Sequence, residues 1–163
     1  MSELSKAHAE RDLNASWEEV RSVVESLSDD EALEAGVVDS WSVKDLLGHM
    51  AFWAEKAATD LNLATAGRLT EIEVPGGESQ VADWNAREAT TRQGKSLDAV
   101  RREWADSFQA AKAALAATSE ETLDVDVKGW TMFVRFAEDT YRHYREHAEQ
   151  IQAWQREMET TEA

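Results

Sequence analysis

His143 and His147 are the residues of this sequence best placed to do chemistry together. They stand four apart within Tyr141-Arg142-His143-Tyr144-Arg145-Glu146-His147-Ala148-Glu149-Gln150, a stretch with no helix breaker. On a helix that spacing sets two side chains on one face, about 5–6 Å apart at Cβ. Two imidazoles so placed can share one divalent metal ion. Phe136, Thr140, His143, His147, Ile151, Trp154 and Met158 follow one another at three- and four-residue steps, whereas Arg135, Glu138, Asp139, Arg142, Arg145 and Glu146 fall on the other side. The histidines therefore interrupt a buried stripe. Burying an imidazole is costly unless its nitrogens find partners. A metal supplies both rings with one; a carboxylate or carbonyl acceptor for each ring is the alternative.

His49 is a third candidate ligand. It lies in Gly48-His49-Met50-Ala51-Phe52-Trp53, beside the main apolar stripe of its helix, with Trp53 on the same edge. A third imidazole from another helix completes the ligand count of an open site, which keeps a position for water or substrate. His8, near the start of the chain, reads as peripheral. Glu146 points to another helix face than the histidines and reads as a solvated carboxylate. Tyr144 adjoins the ligand stripe, where it would orient a substrate or fill the core. Trp53, Trp84 and Trp130 fall near the presumed site, at a helix edge or in loops, and are candidates for an apolar wall beside the metal. Trp17, Trp104 and Trp154 fit apolar stripes, and Trp41 precedes the second long helix.

These residues need a frame of long helices, and the chain reads as four of them. The first covers roughly 6–28, with Leu13, Trp17, Val20, Val24 and Leu27 at helical spacing. A short turn follows within 31–38. The second begins at Ser42-Val43-Lys44-Asp45, a capping box with Asp in place of the usual Glu, and fades near Gly67. Residues 67–95 are the least regular: Val74-Pro75-Gly76-Gly77 is a turn by its chemistry, and 81–92 suits a short helix. A connection of this length fits a crossover between parallel neighbours rather than a hairpin. Ser96 caps the third helix, which runs to about Ala117. A loop covers 118–129, and one continuous fourth helix runs from about 131 to 159.

Composition bounds the rest. The chain has 163 residues, 42% of them hydrophobic, which suits one domain over 1–163 with a real core. The net charge of −16 argues against phosphate backbones and anionic membranes, so neither nucleic acid nor membrane is expected as a partner. There is no cysteine, which rules out disulfides, thiolate ligands and a Cys nucleophile; thiol chemistry would need an external thiol. No apolar run approaches a membrane span, and the start of the chain lacks a signal core, so the cytoplasm is the expected address.

Trp41-Ser42-Val43-Lys44-Asp45-Leu46-Leu47-Gly48-His49-Met50-Ala51-Phe52-Trp53 resembles the helix-2 motif of the DinB/YfiT-like metalloproteins, a Trp-Ser-x-x-Asp start followed by a His. Tyr141 to Ile151 resembles their helix-4 motif, with two His four apart. The order and spacing match over about residues 10–158. The resemblance implies an all-α four-helix bundle with a long crossover between its second and third helices. It implies that His49, His143 and His147 hold Zn or Ni. Studied relatives include thiol-dependent S-transferases, but the resemblance carries over the metal site and not the substrate. An open three-His ion would activate either water or an external thiol, so the expected activity is a thiol-dependent S-transferase or a hydrolase on a small molecule, with a low-molecular-weight thiol as cosubstrate in the first case. A homodimer is expected from the wide apolar arc of the last helix and from the pairing of relatives. The alternative is a binding or sequestration protein in which the metal only anchors the ligand.

Overall fold

The computed structural model describes residues 4–162. Four long helical rods carry the fold: α1 (Lys6–Glu25), α3 (Val43–Thr65), α5 (Leu97–Ala117) and the composite of α7 (Met132–Asp139) and α8 (Tyr141–Glu162). Short pieces join them: α2 (Asp29–Leu33), α4 (Glu78–Arg92), α6 (Glu120–Leu123) and an antiparallel hairpin of β1 (Asp126–Val127) and β2 (Trp130–Thr131). The all-α bundle expected from the sequence is the observed architecture.

The helix directions follow from pairs of contacts. A Cβ at Gly48 would lie 3.6 Å from Val100, and Thr65 meets Thr118 at 3.3 Å, so α3 and α5 run parallel. Arg145 pairs with Asp12 and Gln155 with Ser26, so α1 and α8 run parallel too. Lys6 reaches the Ala116 carbonyl while Trp17 stacks on Trp104, which makes α1 and α5 antiparallel. The order is thus up, down, down, up. Two consecutive down helices require the chain to return along the whole bundle, and the crossover containing α4 does this.

Local signals set the ends. The Ser42 hydroxyl accepts from the Asp45 N–H, and the Asp45 carboxylate accepts from the Ser42 N–H. This completes the expected capping box and starts α3. Ser96 caps α5 in the same manner, accepting from the Ala99 N–H. From α3, Leu46, Leu47, Met50, Ala54 and Leu61 fill the core against Val100, Phe108 and Leu115 of α5. The crossover helix α4 contributes no fully buried residue. It is tied down by Arg92, which bonds Glu88 of its own helix and Glu103 of α5. A Cβ at Gly48 would come within 2.6 Å of Arg92 Cδ, so glycine is what lets that guanidinium lie across α3.

Several expected boundaries move. The first helix ends at Glu25, the short turn is α2, and α4 starts three residues earlier than expected. The 118–129 loop holds α6 and the hairpin, whose turn residues Lys128 and Gly129 both have positive φ. The fourth rod is not continuous. Thr140, fully buried, adopts φ −122° and ψ −97° and separates α7 from α8. Its N–H and hydroxyl both bond the Phe136 carbonyl, which closes α7, and its carbonyl accepts from the Tyr144 N–H, which opens α8. The apolar arc behind the expected homodimer packs inside the chain: Tyr141, Tyr144, Ala148, Ile151 and Trp154 are buried, with α8 against α1 and α7. That arc offers no ground for pairing. No described helix is long and apolar enough to cross a membrane.

Candidate metal centre and its cavity

Helices α3 and α8 bring the three predicted histidines to one point. Nε2 of His143 lies 2.8 Å from Nε2 of His49 and 2.8 Å from Nε2 of His147. The rings meet edge-on, with interplanar angles of 73°, 80° and 65°. One ligand atom from each lies within 4.8 Å of the others, the arrangement of a group able to hold a metal ion. His49 and His143 are half-buried and His147 is buried.

The donor chemistry fits a cation. Burial lowers the pKa of all three rings, that of His49 to about 3, with further lowering of His49 by His147 and Arg92. The neutral form of imidazole is the ligating form. His147 Nδ1 lies 2.6 Å from Gln150 Oε1 and donates to it, which leaves the His147 Nε2 lone pair bare. A neutral ring nitrogen carries one proton or one lone pair, so His143 Nε2 cannot satisfy both of its close neighbours by hydrogen bonding. A shared cation satisfies all three. His143 Nδ1 is buried without a hydrogen-bond partner, so packing rather than a second hydrogen bond holds that ring.

Beside the histidines lies a cavity of about 480 Å³. Residues 49, 53, 56 and 60 line it from α3, a helical i, i+4, i+7, i+11 series that runs from His49 through Trp53 to Lys56 and Asp60. Val74, Pro75, Val81 and Asn85 close it from the crossover, Lys128 and Trp130 from the hairpin, and Arg135, Glu138 and Asp139 from α7. Trp53 donates its indole N–H to Asn85 Oδ1 at 2.8 Å, which fixes that wall. Arg135 donates twice to the Val127 carbonyl and stacks 5.8 Å from the Trp130 ring, which fixes the hairpin.

The predicted wall residues separate. Trp53 and the 51% exposed Trp130 line the cavity. Trp84 stacks on Trp53 with centroids 6.1 Å apart but lines a neighbouring pocket with Phe52 and Arg87. Tyr144 does not line the cavity: it is fully buried, and its hydroxyl has no partner. His8 pairs with Asp12 at 2.6 Å, outside the cluster.

Seven charged residues line the cavity, and the sequence reading singles out none of them. Lys56 and Asp60 form a largely buried ion pair at 2.9 Å. Sequence periodicity with one helix through residue 140 places Arg135 and Asp139 on the solvent side; the structure ends α7 at Asp139 and puts both in the cavity wall. Asp139 nonetheless stands four before His143 and eight before His147, a spacing that could have found it. Burial pushes its carboxyl pKa from 3.8 up to about 8, against the pull of Lys56 and Arg135.

Comparison with known proteins agrees with the resemblance. The family model of the DinB superfamily matches residues 12–151. No curated protein matches significantly. An uncharacterised protein from Escherichia coli UTI89 superposes with a TM-score of 0.81 at 12% identity, covering 95% of each chain. The colibactin self-resistance protein ClbS, solved in complex with a dsDNA, gives 0.80 at 15% identity, covering 93% of this chain and 95% of its own. The Sibling Lethal Factor Precursor DfsB gives 0.79 at 15% identity, covering 94% and 96%. The ClbS complex corrects one expectation. The net charge of −16 argues against nucleic acid as a partner, yet a protein of this fold is seen with a duplex. Net charge sums over the whole surface and does not fix the potential over one patch, so the exclusion does not stand.

Proposed function

The chain belongs to the DinB superfamily, and within it we propose a metal-dependent enzyme that holds one Zn or Ni ion through His49, His143 and His147 and acts on a small molecule in the adjoining cavity. The observation that carries this reading is the convergence of three neutral imidazoles, two of which, His49 and His143, line the cavity. Three neutral ligands leave a divalent ion its full charge and an open position, and the Lewis acidity it supplies lowers the pKa of a water or thiol that reaches it. A structural site would instead be closed by a fourth protein ligand.

The chain's own residues divide the remaining work. Gln150 holds the proton of His147 on Nδ1. Trp53 and Trp130 exclude water from the apolar side of the substrate, and the Trp53–Asn85 bond keeps that wall rigid. The reaction is a thiol-dependent S-transfer or a hydrolysis of a reactive molecule; a low-molecular-weight thiol is the cosubstrate in the first case. The rival reading, capture without turnover, uses the same cavity.

Metal analysis decides the first half: the wild type takes up one equivalent of Zn or Ni and His143→Ala takes up none. Full uptake by the variant would sink the assignment. For the second half, metal-loaded protein is incubated with a reactive electrophile in water and with glutathione, bacillithiol or mycothiol. Turnover above the metal-free control supports the enzyme; saturable binding without turnover supports capture.

A further inference from the structure

The charges of the cavity are unequally committed. Lys56 is bound to both oxygens of Asp60, and Arg135 is bound to the Val127 carbonyl. Glu138 pairs with Arg142 at 2.7 Å. Lys128 and Glu73 are exposed at the rim. Asp139 lines the same space and its carboxyl hydrogen-bonds to no described residue, although it sits deep enough for burial to dominate its titration. An unpaired carboxyl in such a place is costly to the fold, and asparagine would fill the position without the cost of burying a charge. Costly, unpaired ionisable groups in a cleft mark functional positions.

The surroundings favour a positive guest. Four carboxyl groups face the cavity against three cationic side chains, within a chain of net charge −16. One of its aromatic rings already receives a cation, Arg135 over Trp130, and Lys56 lies 5.7 Å over Trp84 of the adjoining pocket. We propose that Asp139 anchors the cationic group of the ligand, a primary ammonium or a guanidinium, while the apolar remainder lies against Trp53 and Trp130. The arriving cation replaces the carboxyl proton, which leaves to solvent, and forms a charge-assisted hydrogen bond with both partners desolvated. Because His49 and His143 line the same cavity, this anchor selects which part of the molecule faces the histidines. The inference rests on the cavity being the substrate site, and it does not require the metal.

Phenethylamine is the probe, compared with 3-phenylpropionate and 2-phenylethanol as anionic and neutral analogues. Binding is followed by tryptophan fluorescence and calorimetry on chelator-treated full-length protein. The amine should bind saturably and at least tenfold more tightly than either analogue, and Asp139→Asn should weaken it at least tenfold. A smaller preference on the wild type, no saturation by millimolar amine, or a smaller loss in the variant overturns the proposal. Should the variant fail to fold, the three-probe comparison on the wild type decides alone. Normal metal uptake without amine binding would sink this inference only; amine binding without metal uptake would sink the metal reading only.

Discussion

Two seams of the bundle join antiparallel helices through flat rings, and they do opposite things. Between α1 and α5, Trp17 stacks on Trp104 at 5.0 Å and 19° and on Phe108 at 4.5 Å and 17°. Between α3 and α8, three imidazoles meet edge-on. Face-to-face rings bring apolar area together and send their edges outward. Edge-on rings bring their heteroatoms to a common point. Both seams hold a ring nitrogen without a partner, at Trp17 and Trp104 on one side and at His143 on the other. The second adjoins the cavity lined by His49 and His143. The same helical spacing thus builds a core or a centre, according to whether the ring edges carry lone pairs and whether space is left beside them.

The sharpest way to break this contrast is to remove one ring from each seam. His147→Ala should abolish metal binding, and with it the stabilisation that added Zn or Ni gives the wild type, about 2.7 kcal/mol at a hundredfold excess over Kd. Its metal-free stability should change far less, as read by thermal unfolding with and without chelator. Trp104→Ala should do the reverse: a loss of about 3–5 kcal/mol in denaturant unfolding, with metal stoichiometry intact. Equal stability losses in the two metal-free variants would erase the distinction between the seams.

A smaller effect tests what holds α4 to the site side. Gly48→Ala places a Cβ where Arg92 lies, and should cost about 1–3 kcal/mol by overpacking. About 1 kcal/mol returns through helix propensity. A net gain in melting temperature would show that Arg92 moves aside freely.

The last comparison is electrostatic, within the cavity wall. The histidines have lowered pKa values, so their contribution to metal-free stability is complete above about 6.5 and is lost as the pH falls, toward about 3 for His49. Asp139, facing Lys56, Asp60, Arg135 and Glu138, has a raised pKa. Its contribution is complete below 3.8 and is lost as the pH rises through about 8. Asp139→Asn should therefore raise stability relative to the wild type at pH 8 and little at pH 4. A gain of equal size at both would place the cause in packing rather than charge.

Much of the frame was legible in the sequence. The pair His143 and His147 followed from periodicity, and Ser42 with Asp45 announced the start of α3. His49 was less legible, because it lies beside its apolar stripe; the family motif is what joined it to the others. The charged end of the cavity was missed for a physical reason. A polar residue lining a cavity has the same sequence signature as one facing water, and only the neighbours of Lys56, Asp60, Arg135 and Asp139 tell the two apart. The break at Thr140 carries no proline or glycine, so nothing local announced it.

The crossover helix has one more consequence. α4 buries no residue fully, yet Val81 and Asn85 close one side of the cavity. Its amide protons are held by a short stretch with little apolar contact, and those of α3 by the centre of the bundle. Local opening of such a segment requires a fraction of the global unfolding free energy. The enclosure and the scaffold can therefore breathe on separate timescales, and hydrogen exchange would show the first loosening while the second stays closed.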